Sequence, residues 1–184
     1  MGTADVQLAA NRLAAKLEEL QIPYAICGGL AVSAHGHRRT TVDVDVLVTA
    51  AGLQRFKEAA LGRGWLERFA GSRGVRDMEN RTPIDFLLTG GFPGDGQPRG
   101  VTFPDPGAVA VRVEGKQYVD LPHLVELKLA SGLSAPDRPR DFDDVIALIR
   151  ANSLPESFAD PLHALVQPKY RELWGYAQLP QREF

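Results

Sequence analysis

YAICGGLAVSAHGHRRTTVDVDVLVT, residues 24–49, reads as a short apolar strand, a glycine pair, one small helix, a basic turn and a second strand. Successive side chains of a strand point to opposite faces. Asp43 and Asp45 therefore share one face, and Val42, Val44, Val46 and Val48 are expected on the other, in a core. Two carboxylates side by side repel each other unless positive charge lies between them. A divalent cation supplies it, and hard oxygen ligands suit Mg²⁺ or Mn²⁺. The pair Gly28-Gly29 lets backbone approach a ligand closely, and the helix it opens aims N–H groups at whatever sits there. A metal-binding pair beside an anion-binding turn points to phosphoryl or nucleotidyl chemistry.

On the N-terminal side, Leu13, Leu17 and Leu20 recur at helical spacing over residues 5–20, with Asp5 as the expected N-cap and Pro23 beyond the end. The first strand is expected over 24–27, the small helix over 29–35 and the second strand over 42–48. A helix over 51–62 carries Leu53, Phe56, Ala60 and Leu61 on one face. Weaker strands follow at 65–69 and 75–80. A clearer strand, residues 83–88, sets Asp85 among apolar residues; beside the second strand, Asp85 becomes a third carboxylate next to Asp43 and Asp45. Residues 89–107, TGGFPGDGQPRGVTFPDPG, are dense in Gly and Pro and have no period. Such a loop is either a lid near the active face or a solvated excursion. Alternation returns over 108–120, with a turn at Glu114-Gly115-Lys116, and helices are expected over 122–131, 141–150 and within 158–176. Mixed strands and helices followed by helices imply an α/β (α+β) fold: a mixed sheet flanked by helices, with residues 1–120 as the core and 121–184 as a helical C-terminal region packed on it.

The bulk properties exclude several classes. A chain of 184 residues with 44% hydrophobic and 24% charged residues is an ordinary globular protein of about one domain. A net charge of −2 gives no general attraction to nucleic acid or anionic membrane, although Arg38 and Arg39 form a local basic pair. One cysteine, Cys27, rules out an intramolecular disulfide and fits a reducing cytoplasm. No stretch is long and apolar enough to span a bilayer and none reads as a signal peptide, so a cytoplasmic location is expected.

GG followed by HG, then R-x-T-x-D-x-D, a lone Asp on a later strand, a Lys-bearing helix and R-x-R-D-x-x-D resembles the polymerase-β-type nucleotidyltransferase superfamily. Within it, the pattern is most similar to small bacterial nucleotidyltransferases near the AbiEii abortive-infection toxins. The matching residues are Gly28, Gly29, His35, Gly36, Arg39, Thr41, Asp43, Asp45, Asp85, Lys128, Arg138, Arg140, Asp141 and Asp144. The resemblance implies an enzyme that moves a nucleoside monophosphate from an NTP to an acceptor hydroxyl on a small molecule, a protein or an RNA end. It implies that Asp43, Asp45 and Asp85 hold Mg²⁺ or Mn²⁺ and that Asp85 helps to deprotonate the attacking hydroxyl. Gly28, Gly29, Ser33, Arg39, Thr41, Arg138, Arg140, Asp141 and Asp144 fall to nucleotide and phosphate binding, and Lys128 to charge neutralisation as pyrophosphate leaves. Two departures stand out: Arg140, preceded by Pro139, takes the place of a frequent Lys, and Gly29 that of a frequent Ser, with Ser33 one turn on.

Other readings of the same residues stay open. Asp43 and Asp45 also suit the wet face of an amphipathic strand, and Asp85 a salt bridge to a neighbouring Arg. Asp141 also fits an N-cap, with Asp144 in the capping-box position. Lys128 also fits a snorkelling side chain. His35 and His37 are too isolated for zinc, and four scattered His argue against a metal-dependent phosphohydrolase. The alternative from another class is a catalytically silent nucleotide-binding module, for example one half of a toxin–antitoxin pair. The acceptor, the preferred NTP and the oligomeric state are not encoded in any motif.

Overall fold

A computed structural model describes residues 3–134 and 139–180; of the expected site residues, Arg138 lies outside them. Helix α1 (Thr3–Glu19) buries Val6, Ala9, Ala10, Leu13, Ala14 and Leu17, a three-to-four spacing that makes one apolar stripe. It begins at Thr3, so Asp5 lies inside the first turn and not at the cap. Then come β1 (Ala25–Ile26), α2 (Gly28–Ala34), β2 (Val44–Val48) and α3 (Ala50–Ala60), the last capped by the Thr49 hydroxyl accepting from the Gly52 amide. A hairpin of β3 (Trp65–Glu67) and β4 (Gly74–Asp77) leads into β5 (Thr82–Leu88). A one-turn helix, α4 (Pro106–Val109), precedes the hairpin of β6 (Ala110–Val113) and β7 (Lys116–Val119). Positive φ at Glu114 and Gly115 turns that hairpin. Helices α5 (Leu121–Ser134), α6 (Pro139–Ala151) and α7 (Gln167–Ala177) complete the order, with a 3₁₀ turn at Glu156–Ala159.

Among the described residues, seven strands form one mixed sheet in the order β3-β4-β5-β2-β1-β7-β6. Strands β2 and β5 run parallel and adjacent, with Val44 opposite Ile84, Asp45 opposite Asp85 and Val46 opposite Phe86. One face of this pair, Val44, Val46, Val48, Ile84 and Phe86, is buried in the core. Residues two apart share a face, so Asp45 and Asp85 stand together on the other. Val42 departs from the expected pattern. It precedes β2 and is 60% exposed, because the strand starts at Val44 and Asp43 lies in the bend before it. A single apolar cluster runs from α1 through the sheet to α5, α6 and α7. No helix among the described residues is long and apolar enough to cross a membrane.

Candidate active site

Asp43, Asp45 and Asp85 each offer a carboxylate oxygen within 4.8 Å of the others. Two come from adjacent positions of paired strands and the third from the bend entering β2. Asp43 is held by Thr41, whose hydroxyl donates to Asp43 Oδ1 at 2.9 Å. Asp45 carries the strain of the arrangement: burial first, then the charges of Asp43 and Asp85, push its carboxyl up to about 6, with Lys128 and Arg39 opposing. An all-oxygen set of three clustered carboxylates fits a hard divalent cation, Mg²⁺ or Mn²⁺.

The glycine pair explains itself at this point. Gly28 has φ +59, and a Cβ there would lie 1.9 Å from Asp45 Oδ2. A Cβ on Gly29 would lie 2.8 Å from Thr41 and 3.0 Å from Arg39. The pair thus lets the backbone close down on Asp45 and lets the 39–41 turn close down on α2. Beside it, Cys27 is buried; burial, reinforced by the Asp45 charge, pushes its thiol far up and leaves it inert.

Lys128, Asp141, Asp144 and Arg39 form one ionic cluster. Lys128 Nζ lies 2.7 Å from Asp141 Oδ1 and 2.8 Å from Asp144 Oδ2, and Arg39 Nε lies 2.9 Å from Asp144 Oδ1. Burial alone would lower the Lys128 ammonium, but the charges of Asp141 and Asp144 outweigh it and hold the group above its ordinary value. Helix α6 begins at Pro139, so Asp141 is not its cap; both aspartates face cations across the α5–α6 contact instead. Lys128 is paired, not merely snorkelling. Arg140 is exposed on the first turn of α6.

A cleft of about 480 Å³ opens over the carboxylates, lined by Gly28, Asp45, Asp85 and Lys128 among others. Its far wall is residues 92–96 of the Gly/Pro-rich loop, whose seating on α5 is tight. The Asp95 amide donates to Ser134 Oγ at 3.4 Å, and a Cβ on Gly94 would lie 1.7 Å from that oxygen. Ser33 is elsewhere. Its hydroxyl donates to the Gly29 carbonyl at 3.1 Å and borders a second cavity with Arg38 and Thr40, behind α2. His35 Nε2 donates to the Val119 carbonyl at 2.7 Å, a structural contact. Sequence reasoning missed Arg68, whose Nη1 lies 2.7 Å from Asp85 Oδ1. Its side chain crosses Gly74, where a Cβ would meet Arg68 Cδ at 2.8 Å. Asp85 is therefore both a member of the carboxylate trio and salt-bridged; the signal available was the run R-x-x-x-x-R-G-x-R over Arg68–Arg76.

No family model matches the sequence, and no curated protein does. Solved structures do resemble the fold. A solution structure of the antibiotic-resistance factor ANT(2″)-Ia is 14% identical over 96% of this chain and 98% of its own, with TM-score 0.61. A crystal structure of ANT(2″)-Ia in complex with adenylyl-2″-tobramycin is 14% identical over 92% of this chain and 98% of its own, with TM-score 0.59. An antigenic nucleotidyltransferase-like protein from Paracoccidioides brasiliensis is 19% identical over 81% of this chain and 77% of its own, with TM-score 0.47. With a seven-stranded mixed sheet and flanking helices among its described residues, the chain has the nucleotidyltransferase fold that the ANT(2″)-Ia structures share.

Proposed function

We propose that the protein is a divalent-metal-dependent nucleotidyltransferase that moves a nucleoside monophosphate from an NTP to an acceptor hydroxyl. The observation that carries this reading is the trio Asp43, Asp45 and Asp85, gathered within 4.8 Å, two of which, Asp45 and Asp85, line a cleft beside the Gly28 turn. A module that only bound a partner would gain nothing from three adjacent negative charges. Asp43, Asp45 and Asp85 would hold Mg²⁺ or Mn²⁺, which supplies charge neutralisation to the triphosphate when bound. The first-turn amides of α2 face the phosphates. The acceptor oxygen forms its bond to the α-phosphorus as the bond to pyrophosphate breaks, and Asp85 takes the hydroxyl proton. Asp141 and Asp144 position Lys128 and Arg39 and do not themselves meet phosphate, since their oxygens face these cations. That ANT(2″)-Ia is captured with an adenylylated tobramycin supports a small hydroxyl-bearing acceptor as one option within this reading. The narrower resemblance to the AbiEii group rests on the motif alone.

The test is pyrophosphate release from each NTP, with Mg²⁺ and without, against a panel of acceptors that includes tobramycin and a short RNA. Metal-dependent release is expected, lowered at least roughly a hundredfold in Asp45→Asn. Metal-dependent NTP binding with no release on any acceptor would favour the silent module instead.

A further inference from the structure

The sheet face that carries the carboxylates continues past Asp85 onto the β3–β4 hairpin, and there its charge changes sign. Register pairs Asp85 with Gly74, Pro83 with Arg76, and Arg76 with Leu66. Paired residues share a face, so Arg76 and Leu66 stand on the same side of the sheet as Asp45 and Asp85. Burial agrees: Val75 and Asp77 are buried on the opposite face, while Arg76 is exposed and Leu66 is 48% exposed. Arg68 reaches over Gly74 to Asp85, and Arg73, exposed, lines the mouth of the cleft.

The acids of this hairpin do not offset these cations. Glu67 pairs with Lys57 of α3, and Asp77 and Glu79 pair with Arg12 of α1. Arg73 and Arg76 are in no ion pair among the described residues. A chain of net charge −2 thus concentrates uncompensated guanidinium groups beside its third carboxylate, with the exposed Leu66 and Phe69 next to them.

Electrostatics assigns the acceptor's class. A phosphate brought near carboxylates is repelled by them wherever no cation lies between. Guanidinium groups on the approach side offset that repulsion and grip phosphate bidentately. A polycationic acceptor would meet the same arginines as a barrier. We propose, resting on the nucleotidyl-transfer reading, that the acceptor carries a phosphate ester and that Arg73 and Arg76 bind that phosphate while the acceptor hydroxyl faces Asp85. A nucleic-acid end and a free phosphorylated metabolite offer the same chemistry.

The experiment measures binding of a fluorescein-labelled single-stranded RNA to the full chain in Mg²⁺ by anisotropy. Nucleoside 5′-monophosphate and tobramycin serve as competitors. Wild type is compared with Arg73→Gln/Arg76→Gln and with the charge reversal Arg73→Glu/Arg76→Glu. RNA binding is expected to weaken about tenfold in the first variant and further in the second, with the salt slope reduced by about two. Competition by the monophosphate at low concentration would identify a small phosphorylated acceptor, and its failure to compete a nucleic-acid end; both outcomes support the assignment. RNA and monophosphate that both fail to bind, binding indifferent to charge reversal, or competition by tobramycin alone would overturn it. Metal-dependent stabilisation by NTP, measured on the same samples, separates the two readings. Its absence in wild type sinks nucleotidyl transfer, whereas its presence with unaltered RNA binding sinks only the arginine platform.

Discussion

Asp45 concentrates the tension of the site in one carboxyl. Its folded-state pKa, about 6, lies above the ordinary 3.8. The folded state therefore favours the protonated form, so ionising Asp45 costs stability progressively as pH rises from 3.8 to about 6. In metal-free buffer, Asp45→Asn is expected to melt near wild type at the acid end of that window and above it beyond the upper end. Added Mg²⁺ should erase the difference by stabilising wild type alone; melting curves across the pH range check both. Gly28→Ala attacks the same contact from the other side. A side chain at φ +59 costs about 1 kcal/mol before the clash with Asp45 is counted, and turnover is expected to fall by roughly a hundredfold or more. At this scale the sequence was informative, because strand periodicity and the glycine pair both depend on neighbours in the chain. Asp43 and Asp45 were legible as a pair, and Asp85 joined them through the family resemblance and not through any local signal. Arg68 and the remoteness of Ser33 were not legible, since each depends on where a side chain lies in space, across β4 in one case and behind α2 in the other.

The elements meet through the cluster of Lys128 on α5, Asp141 and Asp144 on α6 and Arg39 in the turn after α2. Asp144 is 2% exposed, and its removal strands Arg39 and leaves Lys128 with Asp141 as its one remaining carboxylate partner. Asp144→Ala is expected to lose about 3–5 kcal/mol in urea unfolding, a loss that a solvated helix-capping residue would not produce. The loop after β5 depends on Gly94 lying against Ser134. Gly94→Ala is expected to lift the loop from α5, raising KM and exposing residues 92–102 to protease, with little change in unfolding midpoint. Long periodic elements were readable: β2, β5, α5 and α6 lie close to their expected bounds, although α5 extends to Ser134 beyond the expected residue 131. The one-turn α4 was not, because four residues carry no period, and β1 is two residues long where four were expected.

At the scale of the whole molecule, the expected division at residue 120 runs through a continuous core, with Leu124, Leu148 and Tyr170 buried in the same cluster as Val46 and Phe56. The helical region is accordingly proposed to unfold together with the sheet. Trp65 lies on β3 and Trp174 on α7, so Trp174→Phe leaves a fluorescence probe of the sheet alone. Its urea midpoint should coincide with that of far-ultraviolet circular dichroism, and two separated midpoints would mark two units. Strand order was the part of the fold least accessible to sequence. Pairing of β2 with β5 joins residues 40 apart, and nothing local specifies that Asp85 will face Asp45. The central claim is that this pairing builds a metal-dependent NTP site. Thermal unfolding with each NTP, with and without Mg²⁺, tests it most directly. At least one NTP is expected to raise the melting temperature only when Mg²⁺ is present, and the shift should vanish in Asp43→Asn/Asp45→Asn. A wild-type protein indifferent to millimolar nucleotide and metal, or a double variant that responds as wild type does, would contradict it.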